Sequence, residues 1–264
     1  MRILFLSILF LAGAATALAD DLDHLFDAAG LTGALVIERL SDSREWTAFP
    51  DRADTRFAPA STFKIPNALI QLQTGTVSDT DEDLLDWDGV SRGGSWDESQ
   101  SLRTAFRRSA VWAFQAWTAE TGHAAMREQI AGLNYGNGEI GGPERVTTFW
   151  LDGTLRISAR EQIRILRRLE EGELPFRNDV MEDVIDIMET DRGETWVLRA
   201  KTGWGVREEP NIGWYVGWLE TGDDIYFFAL NVDIDFRSGD GRIRERIVRQ
   251  GLESVTGMAL TDAR

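Results

Sequence analysis

The sequence has no cysteine, two histidines and two lysines in 264 residues. Without cysteine it can form neither a disulfide framework, nor a lipid-modified N-terminal cysteine, nor a thiolate metal site, so its stability must come from packing. His24 and His123 lie apart from every motif described below, which argues against a histidine-based triad or a zinc site. Arginine supplies 26 of the 28 basic side chains. A guanidinium keeps its proton in a protein, whereas an ammonium loses it when burial and neighbours lower its pKa. The two lysines, Lys64 and Lys201, sit in the short stretches "STFK" and "KTGWG", where chemistry is therefore expected.

Positive charge is scarce overall. A net charge of −16 argues against nucleic acid or an anionic membrane as the main partner, and solubility accounts for the acidity. Long apolar runs are confined to the start of the chain. There Arg2 precedes "ILFLSILFLAGAATA", and Ala17-Leu18-Ala19 makes a small-x-small pattern before Asp20. This reads as a secretory signal peptide over residues 1–19, the run being short for a membrane anchor. The expectation is a periplasmic or secreted protein, cleaved near Ala19, with one domain over residues 20–264 and no membrane association after cleavage.

Hydrophobic residues make up 43% of the chain, enough for a sizeable core, and ten tryptophans are many for this length. Most belong in the core, with a few free to line a pocket for a flat, amphipathic ligand. Strand-like patterns occur at 31–40 and 45–49. Helical spacing follows at 61–75, 98–122, 158–172 and 176–190, with Gly75 closing the first of these. Strands return at 195–203, 212–220 and 224–233 as an antiparallel meander, and a helix at 242–255 ends the pattern. Two glycine-rich loops, 86–99 and 134–153, are long enough to be functional. Strands, then helices, then strands imply an α+β fold. Its antiparallel sheet would join N- and C-terminal strands and pack against helices, with a mainly helical region between.

Ser61 and Lys64 lie three residues apart, so a helix starting at Ser61 puts both on one face. A serine hydroxyl needs a base to become a nucleophile, and with histidine nearly absent a neutral lysine is the best base available. Alone, Ser-x-x-Lys is a weak signal, more often an unrelated surface pair. The Lys201-Thr202-Gly203 tripeptide, on a strand in the C-terminal half, adds a second element. Together they match a constellation found in penicillin-binding proteins and serine β-lactamases. Gly203 reads either as the end of a strand or as a place where substrate lies close to the strand edge. The third element departs from the class A pattern, with Ser109-Ala110-Val111 standing where those enzymes carry Ser-Asp-Asn.

The chain resembles the class D (oxacillinase-type) serine β-lactamases from the leader to the last helix. The resemblance rests on "PASTFKIPNALI", "WDG", "SAVWAFQ", "NYGN", "IGG", "FWLDGTLRISAREQ", "AKTGWG" and "GWYVGW", in that order. It implies that Ser61 attacks the β-lactam carbonyl to form an acyl-enzyme. Lys64 would be carboxylated by carbon dioxide and serve as general base. Ser109 would relay a proton to the leaving nitrogen, Val111 would help wall Lys64, and Trp150 would donate its indole N–H to the carbamate. Lys201, Thr202 and Gly203 would orient substrate, and the backbone N–H groups of Ser61 and Trp204 would form the oxyanion hole. Arg244 would bind the substrate carboxylate, with Arg242 close enough in sequence to compete for that role.

No metal or other cofactor is expected. The expected partners are small β-lactams, with the protein a monomer or homodimer. Physical chemistry agrees with a carbamate at Lys64, because apolar neighbours such as Phe63, Val111 and Trp150 favour the neutral amine that forms it. Two alternatives remain open at this point: a D,D-peptidase, which usually carries Ser-x-Asn where this chain has Val111, and a sensor domain that is acylated without turnover.

Overall fold

The computed structural model describes residues 22–207, 209–235 and 240–260. The expected leader, residues 1–19, lies outside them. The six strands are β1 (Gly33–Arg39), β2 (Glu45–Ala48), β3 (Glu189–Arg192), β4 (Trp196–Gly205), β5 (Ile212–Thr221) and β6 (Ile225–Asp233). They form one sheet in the order β2-β1-β6-β5-β4-β3, with every neighbouring pair antiparallel. β1 pairs with β6 from Gly33 opposite Val232 to Arg39 opposite Tyr226, so the two ends of the sequence share one sheet.

Alternation along the strands gives each face of the sheet its own core. Leu35, Ile37, Leu230 and Val232 pack with Leu25 and Phe26 of α1 (Asp23–Ala29) and with Ile247 and Leu252 of α9 (Ile243–Thr256). On the other face Val36, Trp214, Val216 and Ala229 join the core of the helical block. That block comprises α3 (Lys64–Thr74), α4 (Leu102–Arg108), α5 (Val111–Thr121), α6 (His123–Leu133), α7 (Ala159–Glu170) and α8 (Asn178–Ile187). The short α2 (Pro50–Ala53) follows β2. α7 starts at a capping box, in which Ser158 Oγ accepts from the Glu161 N–H and the Glu161 carboxylate accepts from the Ser158 N–H.

Three details differ from the sequence reading. The expected helix over 98–122 is two helices, because the chain leaves α4 at Ser109 in the left-handed conformation (φ 57°) and passes through extended Ala110. The Ser109 and Ala110 N–H groups turn back to Phe106 and Ala105, a helix-ending arrangement that does not require glycine. The helix expected over 176–190 ends at Ile187, and the chain pairs instead as β3, since Glu189 and Arg192 face β4. α1, α2 and α6 are too short or too weakly periodic to stand out in the sequence.

Candidate active site

Ser61 lies in a tight 3₁₀ turn, Ala60–Phe63, that runs straight into α3, so the α-helix begins at Lys64 rather than at Ser61. In a 3₁₀ turn residues i and i+3 eclipse, which sets Lys64 under Ser61. Their Nζ and Oγ atoms are 2.9 Å apart and hydrogen-bonded. Ala60, just before the serine, has φ +49°, a conformation that costs an L-residue about 1–2 kcal/mol. Surrounding bonds hold it there. The Ala60 N–H donates to Trp150 O (3.0 Å), Trp214 Nε1 to Ala58 O (2.9 Å), and Thr62 Oγ1 to Pro59 O (2.7 Å). Buried Gln162 on α7 donates to Thr62 Oγ1 at 2.8 Å.

Lys64 is fully buried. Its Nζ lies 5.2 Å from the centroid of the Phe114 ring, and the neighbouring Phe63 stacks on Trp150 at 5.7 Å. Burial, and then the charge of Lys201, hold the Lys64 amine well below the ordinary lysine range. The Trp150 indole N–H is also fully buried and has no acceptor among the described residues. A buried donor left unmatched costs free energy, so its surroundings suit a hydrogen-bond acceptor.

The left-handed turn at Ser109 brings its hydroxyl to Lys201, whose Nζ donates to Ser109 Oγ (3.1 Å) and to Thr202 O (3.0 Å). Burial, with a contribution from Arg244, pushes the Lys201 amine down to about 7. The pairing of β3 with β4 reaches no further than Arg199, and the Ala200 N–H goes to Met188 O. Beyond it, residues 201–205 are paired with β5 alone among the described strands, leaving one edge of β4 toward the cleft.

The structure adds a packing reason for Gly203 to the two expected. A Cβ there would sit 3.0 Å from Pro59 O and 3.2 Å from Thr62 N, so the glycine lets β4 pass against the serine-bearing turn.

Ser61, Ser109, Val111, Thr202, Gly203 and Arg244 line one cleft of about 430 Å³, and Trp204 flanks it. The Arg244 guanidinium donates to Gly203 O (2.5 Å) and Gly241 O (2.8 Å) and lies 4.7 Å over the Trp204 ring. Arg242 is exposed and does not line the cleft. Val111 lines the cleft, and the ring over Lys64 Nζ is Phe114, one turn further along α5. Sequence reasoning missed Phe114, whose place over Lys64 depends on how α3 and α5 cross. It also missed Trp96, Leu151, Val206 and Arg207, loop or strand-end residues that complete the cleft lining and carry no periodic signal. Tyr135-Gly136-Asn137 packs against the 154–156 segment. Gly136 (φ 55°) backs onto Arg156 O, and the Asn137 side chain bonds the backbone of Thr154 and Arg156.

A buried lysine under a serine, a second lysine bonded to a second serine, and an open strand edge with an arginine at its end can be compared with known proteins. The penicillin-binding protein transpeptidase domain model matches residues 32–253. The chain is 41% identical over 230 residues to the β-lactamase OXA-15 of Pseudomonas aeruginosa, covering 86% of this chain and 81% of that one. It is 39% identical over 222 residues to OXA-48 of Klebsiella pneumoniae, covering 84% and 82% respectively. Among solved structures, the class D β-lactamase YbXI from Nostoc superposes with a TM-score of 0.86 at 39% identity, over 89% of this chain and 98% of that one.

Proposed function

The chain belongs to the class D β-lactamases, and from that membership and the cleft geometry we propose that it hydrolyses the β-lactam amide of penicillin-type antibiotics through an acyl-enzyme on Ser61, with carboxylated Lys64 as general base. The observation that carries this reading is the buried Lys64 amine, 2.9 Å from Ser61 Oγ and held far from its usual protonation.

A neutral amine is the form that reacts with carbon dioxide, giving a carbamate and releasing one proton. Phe63, Phe114 and Trp150 supply the apolar surroundings, and the unmatched Trp150 N–H fits the carbamate oxygen. Lys64 in this form takes the Ser61 proton as Oγ bonds to the β-lactam carbonyl carbon. The backbone N–H groups of Ser61 and Trp204 receive the developing oxyanion. As the C–N bond breaks, the leaving nitrogen takes a proton from Ser109, which Lys201 resupplies across 3.1 Å. Once Lys64 has lost that proton to solvent and Lys201 has regained one, Lys64 draws a proton from a water that attacks the ester and returns it to Ser61 Oγ as the ester C–O bond breaks. Thr202, Gly203 and Arg244 hold the substrate along the open edge of β4, with Arg244 turned to its carboxylate. Export through the leader at 1–19 belongs to the same proposal. Among the described residues no helix is long and apolar enough to cross a membrane.

Ser61→Ala tests the assignment. The variant is expected to fold and bind penicillin weakly, but to show no covalent adduct by intact-mass spectrometry and no hydrolysis of a chromogenic cephalosporin. An adduct on the variant would overturn it. Wild-type protein that consumes one equivalent and stops would favour a peptidase or sensor instead.

A further inference from the structure

Beneath Lys64 a row of polar side chains runs between α3 and α5 where a hydrophobic core would ordinarily place apolar ones. Asn67, Gln71 and Thr118 are fully buried. Gln71 Nε2 donates to Asn67 Oδ1 (2.6 Å), Asn67 Nδ2 to Thr118 Oγ1 (3.0 Å), and Thr118 Oγ1 to Phe114 O (2.6 Å). Thr121 Oγ1 donates to Gln71 Oε1 (2.7 Å) and lies 3.0 Å from Thr76 Oγ1. Residues 64, 67 and 71 share one face of α3, and 114, 118 and 121 share one face of α5. The contacts therefore fall in matched rungs: Lys64 with Phe114, Asn67 with Thr118, Gln71 with Thr121.

We propose that Asn67, Gln71, Thr118 and Thr121 are positioning residues, a hydrogen-bonded ladder that fixes the axial register of α3 against α5 and so holds Lys64 against Phe114. The proposal rests on the reading of Lys64 as the carboxylated base. Stability alone does not call for such a row, because buried polar groups replaced together by apolar ones of similar shape are often neutral or stabilising. Register does call for it. Apolar ridges interlock at several offsets, and a slip of one residue moves a side chain about 1.5 Å along the axis. Such a slip would carry Lys64 Nζ away from the Phe114 ring, whose centroid lies 5.2 Å from it. A ladder with specific donors and acceptors is satisfied at one offset and orphaned at the others. α5 begins two residues after Ser109, so the same register also sets Ser109 relative to Lys64.

The test is the paired apolar variant Asn67→Leu/Thr118→Val, with Thr118→Ser as the conservative control. Three quantities are measured: the thermal midpoint, the rate of Ser61 acylation by penicillin from quenched intact-mass spectra, and the bicarbonate concentration giving half-maximal activity. The paired variant is expected to keep most of its thermal stability while acylating about tenfold more slowly, with a raised bicarbonate requirement. Thr118→Ser should match the parent in both. A paired variant with parental acylation and bicarbonate dependence would overturn the inference, whatever its midpoint. If the paired variant does not fold, Thr121→Val replaces it, removing only the outer rung; a smaller shift of the same sign is expected, and parental values would again overturn the inference. Wild-type protein that turns over without any bicarbonate response contradicts the carboxylated base itself. A responsive wild type beside an unchanged variant contradicts only the ladder.

Discussion

The scarcity of lysine made the chemistry legible at the level of single residues. In a chain that meets nearly every need for positive charge with arginine, Lys64 and Lys201 are both buried, and each is hydrogen-bonded to a serine. Ser61, Lys64 and the Lys201-Thr202-Gly203 strand could be read because their chemistry is local in sequence. Phe114 could not, because its place over Lys64 depends on how two helices cross, which no single-helix pattern encodes. The choice between Arg242 and Arg244 was likewise open in the sequence, and burial separates them. Arg244 lines the cleft while Arg242 faces solvent. Arg244→Ala is expected to raise KM for penicillin by roughly 10–100-fold with a smaller loss in kcat, because on the proposed reading it removes a charge-assisted hydrogen bond to the substrate carboxylate. Arg242→Ala should stay near the parent. Steady-state kinetics on the two variants checks this, and the opposite ranking would move the anchor by two residues.

Elements were legible where their periodicity was long. The meander β4-β5-β6, the joining of β1 to β6, and α7 all follow from extended stretches of regular patterning. What could not be read was a break with no marker residue. The chain turns at Ser109 with a left-handed serine where a glycine would have signalled it, and that break is what swings the hydroxyl to Lys201. The fit between elements was equally hidden. Gly203 reads in the sequence as a strand end or a provision for substrate, and in the structure it is also the point where β4 touches the turn carrying Ser61. Gly203→Ala should therefore act on the protein itself. A methyl 3.0 Å from Pro59 O must push β4 and the turn apart. The expected cost is roughly 1–3 kcal/mol of stability together with a fall in kcat, measurable by denaturant unfolding and initial rates. A variant with parental stability and weakened substrate binding alone would make substrate approach the reason for the glycine.

For the whole molecule, two buried lysines make folding depend on pH in a definite direction. Lys201 titrates near 7 when folded and near 10.5 when unfolded, so between those values the unfolded chain holds more protons and stability rises with pH. The cost of burying the ammonium is fully present below about 7 and is lost as pH climbs toward 10.5. Lys201→Met should consequently melt above the parent in acid, with the difference shrinking toward about pH 10, as thermal unfolding across a pH series would show. A constant difference would mean that Lys201 is charged in both states. Lys64 is shifted in the same direction, and the proposed mechanism turns on it, since it requires that amine to be neutral and carboxylated. The most direct test is Lys64→Arg, which keeps the charge and approximate length but cannot give up its proton at working pH. Incubated with penicillin and followed by intact-mass spectrometry alongside product release, it is predicted to acylate slowly on Ser61 and then retain the adduct, with turnover abolished. Release of product by Lys64→Arg at the wild-type rate would contradict the mechanism.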